Sequence, residues 1–277
     1  MGVGEVRISE LRRIGAGREA EVFALGEGRV LRLARTAAFR QAVERERVAL
    51  LAAGRSGAPV PALFERVDVD GRPGLVLERL DAHDLLHGLL RRPWELALVP
   101  WVLARVHASL HEGEAPTELP DLRTEVVERL RSELVPSDVR HAALRRLSEL
   151  PDDDRLCHGD FHPGNVLRRR GGGYAVIDWK AATRGDPAAD IARTRLLMVG
   201  AWIPGAGPRA LQLLLTPFRW ALYTLYLAAY RHWRRVERRT VAAWLPVLAA
   251  ARLSYDIDQE RTWLLAIARR RLRDQLV

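Results

Sequence analysis

The chain has 277 residues, 48% of them hydrophobic and 29% charged, a balance that excludes disordered, collagen-like and low-complexity proteins and leaves enough apolar surface for a substantial core. Its one cysteine, Cys157, excludes an internal disulfide framework and any multi-cysteine zinc site. The formal net charge of +9 is carried by 43 arginines and one lysine, Lys180, and it is uneven: from Ile191 onward 15 arginines face 5 acidic residues, whereas the first 190 residues hold 29 basic and 30 acidic ones.

Met1–Glu10 contains Glu5, Arg7 and Glu10 and has no apolar run of signal-peptide length. Val22–Leu25 and Val30–Leu33 flank Gly26-Glu27-Gly28, a hairpin signal. Thr36–Ala53 has helical spacing, with Phe39, Val43, Leu50 and Leu51 expected to face inward, and Gly54 and Gly57 end it. Two more strands, around Ala62–Val69 and Gly74–Leu80, are joined by the turn Asp70-Gly71-Arg72-Pro73. The pattern then becomes helical. Pro100 suits a first helical turn, and Val99, Val102, Val106 and Leu110 recur on one face. Ala115–Pro120 reads as a loop, followed by helices to about Leu150 and a turn at Pro151–Asp154. Val166-Leu167 and Tyr174–Ile177 embrace Gly171-Gly172-Gly173 as a second hairpin, and Asp190–Val277 reads as three or four helices. The most apolar stretch, Leu211–Tyr230, is broken by Gln212, Pro217 and Arg219 and falls short of the ~20 apolar residues of a membrane span. The expectation is a soluble, cytoplasmic protein with no membrane span. A strand-rich nucleotide-binding lobe at 1–80 would join a larger, mainly helical catalytic and acceptor-binding lobe at 81–277.

The most informative stretch is His158-Gly159-Asp160-Phe161-His162-Pro163-Gly164-Asn165, followed after the hairpin by Ile177-Asp178-Trp179. A carboxylate and a carboxamide five residues apart on a tight loop can converge, and a carboxylate at the end of the next strand can meet them. Such an all-oxygen cluster suits Mg²⁺ shared with substrate phosphates, and an Asp left off the metal can take a proton from a hydroxyl. Asp, Asn, Gly and Pro also favour ordinary turns, but a turn does not need the full ordered set in phase with Gly185-Asp186-Pro187-Ala188-Ala189-Asp190.

On these strings the chain resembles the aminoglycoside phosphotransferase and choline-kinase-like family, distant relatives of protein kinases. The resemblance implies an α+β, two-lobed protein-kinase-like fold: a small antiparallel sheet with one helix, then a larger helical lobe. It implies Mg²⁺-dependent transfer of the γ-phosphate of ATP or GTP to a hydroxyl of a small acceptor. Asp160 is then the base, Asn165 and Asp178 the metal ligands, and His158 and Asp190 the braces of the loop.

Ile14-Gly15-Ala16-Gly17-Arg18-Glu19-Ala20-Glu21-Val22 has the form GxGxxAxV, where Gly15, Ala16 and Gly17 would approach phosphates and supply amide donors. Glu78 to Leu80 would be the hinge that receives the base edge. Kinase-like enzymes place a lysine on the third strand, but no lysine precedes position 180, and Arg32 takes that place. Glu46 is its expected helix partner, with Glu44 second. A solvent-facing Arg32 between core-facing Leu31 and Leu33 fits the alternation equally well, and Lys180, two residues past Asp178, reads as a solvated loop residue ahead of a second phosphate contact.

His107 and His111 stand one helical turn apart with no third metal ligand evident in the sequence, so they read as packed or surface histidines, and Cys157 as a small buried hydrophobe. Of Trp202, Trp220, Trp233, Trp244 and Trp263, most read as core. The basic run around Trp233 argues for a neutral or anionic acceptor, while Asp256, Asp258 and Glu260 form an acidic patch suited to an ammonium group; either also reads as a solvated helix face. A second hypothesis makes the chain a weakly catalytic nucleotide-binding scaffold whose arginine-rich last third binds nucleic acid or an anionic surface. The missing early lysine favours it. The intact Asp160, Asn165 and Asp178 speak against it, so nucleic acid is not the expected partner.

Overall fold

A computed structural model describes residues 8–272 except 18, 27, 87, 89–96 and 203–208. Glu5, Arg7, the turn residue Glu27 and Arg18 of the glycine-rich stretch therefore lie outside the described residues.

The first strands are β1 (Arg13–Ala16), β2 (Ala20–Ala24), β3 (Arg29–Ala34), β4 (Leu63–Val69) and β5 (Arg72–Glu78). They form one antiparallel sheet in the order β1-β2-β3-β5-β4. Strand alternation divides it. Leu31 and Leu33 of β3 join Phe23, Val67 and Val76 in a small cluster on one face. Arg32 points the other way, the direction in which Leu75 and Leu77 meet α1 (Arg40–Arg55). On α1 the buried residues Val43, Glu46, Ala49, Leu50 and Ala53 follow the helical repeat. Leu51 does not: it is 37% exposed, because the helical rotation from Leu50 carries it off the core face.

The chain leaves this sheet at Glu78, and β6 (Ala82–Asp84) pairs instead with β8 (Val166–Arg169), which pairs with β9 (Tyr174–Val176). A third pairing joins β7 (Arg155–Cys157) to β10 (Thr183–Gly185). β6 and β10, three residues each, are too short to leave a period in the sequence.

The helices are α2 (Leu98–Leu110), α3 (Leu122–Leu130), α4 (Ser137–Ser148), α5 (Pro187–Gly200), α6 (Arg209–Leu214), α7 (Thr216–Trp233), α8 (Arg238–Arg252) and α9 (Asp258–Arg271). From Pro187 onward there are thus five described helices, not three or four. The extra break falls in the apolar run, where Pro217, which lacks an amide hydrogen, opens α7 directly after α6. α2 packs on α7, α5 on α7 and α8, and α8 on α3, α4 and α9. The main core runs from α1 and β5 through Leu103 and Leu110 of α2 to Tyr226, Tyr230 and Trp244, so the sheet and the helices share one interior. Among the described residues no helix is long and apolar enough to cross a membrane.

Candidate active site

The loop His158–Asn165 leaves β7 and is shaped from behind by a buried carboxylate. Asp186 caps α5 by accepting from the Ala188 amide, and Pro187 follows it, so Asp190 falls in the first turn of the helix. There Asp190, 1% exposed, accepts from the amides of His158 (2.6 Å) and Gly159 (3.0 Å). Gly159 has φ +75°, and a Cβ would sit 2.1 Å from the Ala181 carbonyl oxygen, so the loop can turn here only at glycine.

The His158 ring ties this loop to the next strand. Its Nδ1 accepts from the Asp160 amide (3.2 Å), which leaves Nε2 protonated and donating to the Ile177 carbonyl (3.0 Å), one residue before Asp178. Burial lowers its pKa and keeps the ring neutral. Asn165 closes the loop: its Nδ2 donates to the Asp160 carbonyl (2.9 Å) and to Asp160 Oδ2 (3.3 Å), which leaves its amide oxygen for another partner. Asp178 adopts the left-handed conformation (φ 66°, ψ 60°) that aspartate tolerates better than most residues.

Asn165 and Asp178 line a cleft of about 470 Å³ beneath the five-stranded sheet, together with Ala16, Gly17, Arg32, Glu46, Glu78 and Leu80. Asp160 is joined to it through Asn165. Arg32 bonds to Glu46 and approaches Asp178 Oδ1 at 3.5 Å, so it faces the cleft rather than solvent. Glu46 is 2% exposed; burial pushes its pKa up to about 7, with Arg32 opposing the rise. Glu44 pairs instead with Arg47 on the surface.

Several expectations need correction. Gly15 pairs with Val22 in the sheet, and Ala16 and Gly17 but not Gly15 line the cleft. The Gly17 amide bonds to the Ala20 carbonyl (2.8 Å), so it closes the turn and is no donor to a phosphate. The Glu78 carboxylate is held by Arg169 of β8 (3.0 Å to Nη2) and by the Ala62 amide (3.1 Å). The four residues assigned to the acceptor do not meet. Trp233 packs on Trp101 of α2 (5.6 Å between ring centroids). Glu260, 1% exposed, accepts from the Trp202 amide (2.8 Å) and from Arg252 (2.6 and 3.0 Å). Asp256 and Asp258 are exposed: Asp256 precedes the helix, and Asp258 stands two residues from Glu260 and so on the opposite face.

One feature was ranked too low in the sequence reading and one escaped it. Lys180 is not a solvated loop residue: it lines the cleft and pairs with Glu19 (3.1 Å) and Asp178 (3.8 Å). Its position two residues past Asp178 was the available signal. Asp190 is also the third member of the His107–His111 group, with possible ligand atoms within 4.8 Å of one another. Those atoms are already joined by hydrogen bonds: both Nε2 atoms donate to Asp190 (3.0 and 3.3 Å), and both Nδ1 atoms accept, from the hydroxyls of Tyr226 (2.6 Å) and Tyr230 (2.7 Å). The group is a bonded core network.

Among curated protein sequences none matches the chain. Its fold is similar to solved structures of choline kinase LicA from Streptococcus pneumoniae (TM-score 0.64, 16% identity, 95% of this chain and 93% of that one covered). It is also similar to a thermostable mutant of aminoglycoside phosphotransferase APH(4)-Ia in a ternary complex with AMP-PNP and hygromycin B (TM-score 0.61, 18% identity, 97% and 93% covered). Aminoglycoside 2'-phosphotransferase-IIIa in its GDP complex is a third (TM-score 0.56, 16% identity, 98% and 94% covered). The sequence model of the phosphotransferase enzyme family matches residues 10–236. The chain belongs to that family.

Proposed function

We propose that the chain transfers the γ-phosphate of ATP or GTP to a hydroxyl of a small acceptor, with Asp160 taking the hydroxyl proton. The observation that carries this reading is the meeting of Asp160 with Asn165, beside Asp178, at one edge of a cleft that Arg32 enters from the sheet. At the far end Glu78 and Arg79 have their amides bonded to Ala62 and Gly28, so the base edge is assigned to the backbone at Leu80. Arg32 holds phosphate oxygens through its planar fork, and Lys180 adds a second cation from the opposite wall.

The donors present fit Mg²⁺. Asn165 offers an amide oxygen and Asp178 a carboxylate, both hard ligands, and the cation contacts of Asp178 at 3.5 and 3.8 Å are loose enough to yield. Mg²⁺ bound there would neutralise charge on the donor phosphates. Asp160 orients the acceptor hydroxyl for in-line attack and receives its proton on Oδ, while the bond from Asn165 holds the carboxylate in place.

Asp160→Asn is the test. The variant is expected to keep its nucleotide affinity and lose roughly 10²–10⁴ in turnover, read as acceptor-dependent ADP release over a panel of alcohols. Unchanged turnover would remove Asp160 from the reaction.

A further inference from the structure

Helix α7 is apolar on both sides. Leu222, Tyr223, Tyr226, Ala229 and Tyr230 carry its inner face into the core. Its exposed positions up to Ala228 are Pro217, Trp220, Ala221, Thr224, Leu225 and Ala228, and none is charged. The Thr224 hydroxyl is already engaged, donating to the Trp220 carbonyl at 2.8 Å. The one charge in that span, Arg219, is turned away from this face. It donates to the carbonyls of Met198 (2.6 Å), Leu197 (3.1 Å) and Ala201 (2.9 Å), where it caps the end of α5. Directly before α7, Leu213, Leu214 and Leu215 are 46–77% exposed, and within it Leu225 is 51% exposed. The result is a charge-free outer surface roughly 20 Å long at the helical rise per residue. A helix that is apolar all round is ordinarily buried, so this one lacks its cover.

The flanks of this surface are basic. Ile191–Val236 holds seven arginines and no aspartate or glutamate. At one end the Arg195 guanidinium lies 4.5 Å from the centroid of the Trp220 ring. Both line a hollow of about 490 Å³ with the exposed Arg270 and Arg271, and no acidic residue is among the described residues that line it. At the other end Arg105 lies 5.4 Å from the Trp233 ring centroid, next to the exposed Arg231 and Arg235. Trp101, Trp220 and Trp233 are 39–43% exposed. Each presents an apolar ring and a polar N–H, the chemistry of a boundary between hydrocarbon and water.

Charge selects the occupant. A second copy seated on the same face would set arginine flank against arginine flank, with no carboxylate in Ile191–Val236 to receive them. A nucleic acid would answer the arginines and leave the leucines in water. An anionic lipid surface answers both: acyl chains cover the leucines, headgroup phosphates take the arginines, and the tryptophans sit between. No described helix is long and apolar enough to cross a bilayer, so this face would lie on one.

We propose that Leu213–Leu215 and the outer side of α7 dock on an anionic lipid bilayer, with Leu214 and Leu225 entering the acyl boundary and Arg231, Arg235, Arg270 and Arg271 on the headgroups. None of these residues lines the cleft, so the docking stands or falls apart from phosphate transfer.

Vesicle co-sedimentation of the full chain tests it. The vesicles are phosphatidylcholine alone, or phosphatidylcholine with about 30% phosphatidylglycerol, at about 0.1 M salt. The wild type is expected to partition onto the anionic vesicles at least about tenfold more strongly than onto the neutral ones. No binding to anionic vesicles, or equal binding to both, overturns the proposal without recourse to any variant. Leu214→Gln with Leu225→Gln removes apolar area, adds no charge and suits a helix; partitioning is expected to fall about tenfold. Leu213→Gln with Leu215→Gln repeats the measurement should the first pair fail to fold. Arg231→Glu with Arg235→Glu is expected to cost about tenfold as well, and only on anionic vesicles. Full binding by the leucine variants would mean that arginines adsorb the chain and the apolar face takes no part, which also overturns the proposal. A wild-type dimer in analytical ultracentrifugation that Leu214→Gln with Leu225→Gln converts to monomer, with no vesicle binding, would make a second copy the cover and overturn it too.

Discussion

The loop His158–Asn165 has two sides built on opposite principles. Behind it, Asp190, His107 and His111 are at most 1% exposed, and each ring nitrogen of the two histidines is hydrogen-bonded. Burial, reinforced by His111, lowers the His107 pKa to about 3. Burial resists ionisation of Asp190 as well, but the bonds from His107 and His111 outweigh it and hold its carboxyl well below the usual range. In front, Arg32, Asp178 and Lys180 have side chains 20–31% exposed and meet at 3.5–3.8 Å. A satisfied buried network has one low-energy arrangement, whereas loose, half-exposed ion pairs exchange partners at little cost. The rear therefore fixes where Asp160 stands, and the front is left able to accept phosphates.

The comparison breaks first at Asp190. Asp190→Ala strands the amides of His158 and Gly159 and the Nε2 hydrogens of His107 and His111. The expected loss is on the order of 3–5 kcal/mol in urea denaturation. A loss under about 1 kcal/mol would mean that the loop is not held from behind. Arg32→Ala probes the front and should act on binding. Nucleotide affinity is expected to fall about tenfold in calorimetric titration, more than acceptor affinity does, because a charged donor to the phosphates is gone. Equal affinity in both proteins would make Arg32 only the partner of Glu46.

How much of this was legible in the sequence follows the same division. Elements with a long period were plain: the β2–β3 hairpin, α1, β4 and β5, and the Asp160–Asn165–Asp178 order stand where spacing put them. The Arg32–Glu46 pair was legible too, although alternation alone left Arg32 free to face solvent. What spacing could not supply was contact between distant segments. His107 and Asp190 are 83 residues apart and meet only because α2 and α5 both pack against α7. Glu260 was read as part of an acidic patch because charge says nothing about direction, and helix rotation turned it inward to Arg252. The arginine surplus after Ile191 likewise could not distinguish Arg193, which donates to the Tyr255 hydroxyl, from Arg239 on the surface.

The finest probe of the front is the ionisation of Glu46. Its folded pKa of about 7 lies above the ordinary 4.5 because burial outweighs the pull of Arg32. Below pH 4.5 the group is protonated whether the chain is folded or not. Between 4.5 and 7 the folded chain keeps a proton that the unfolded chain has released, so stability falls as pH rises, by on the order of 3 kcal/mol across the window. Glu46→Gln removes this titration and keeps the shape. Urea stability of the wild type should therefore drop relative to the variant between pH 5 and pH 8. An identical gap at both values would mean that Arg32 fully offsets the burial of Glu46. The cation would then be pinned to α1, and the contrast between a fixed rear and an exchangeable front would have to rest on Asp178 and Lys180 alone.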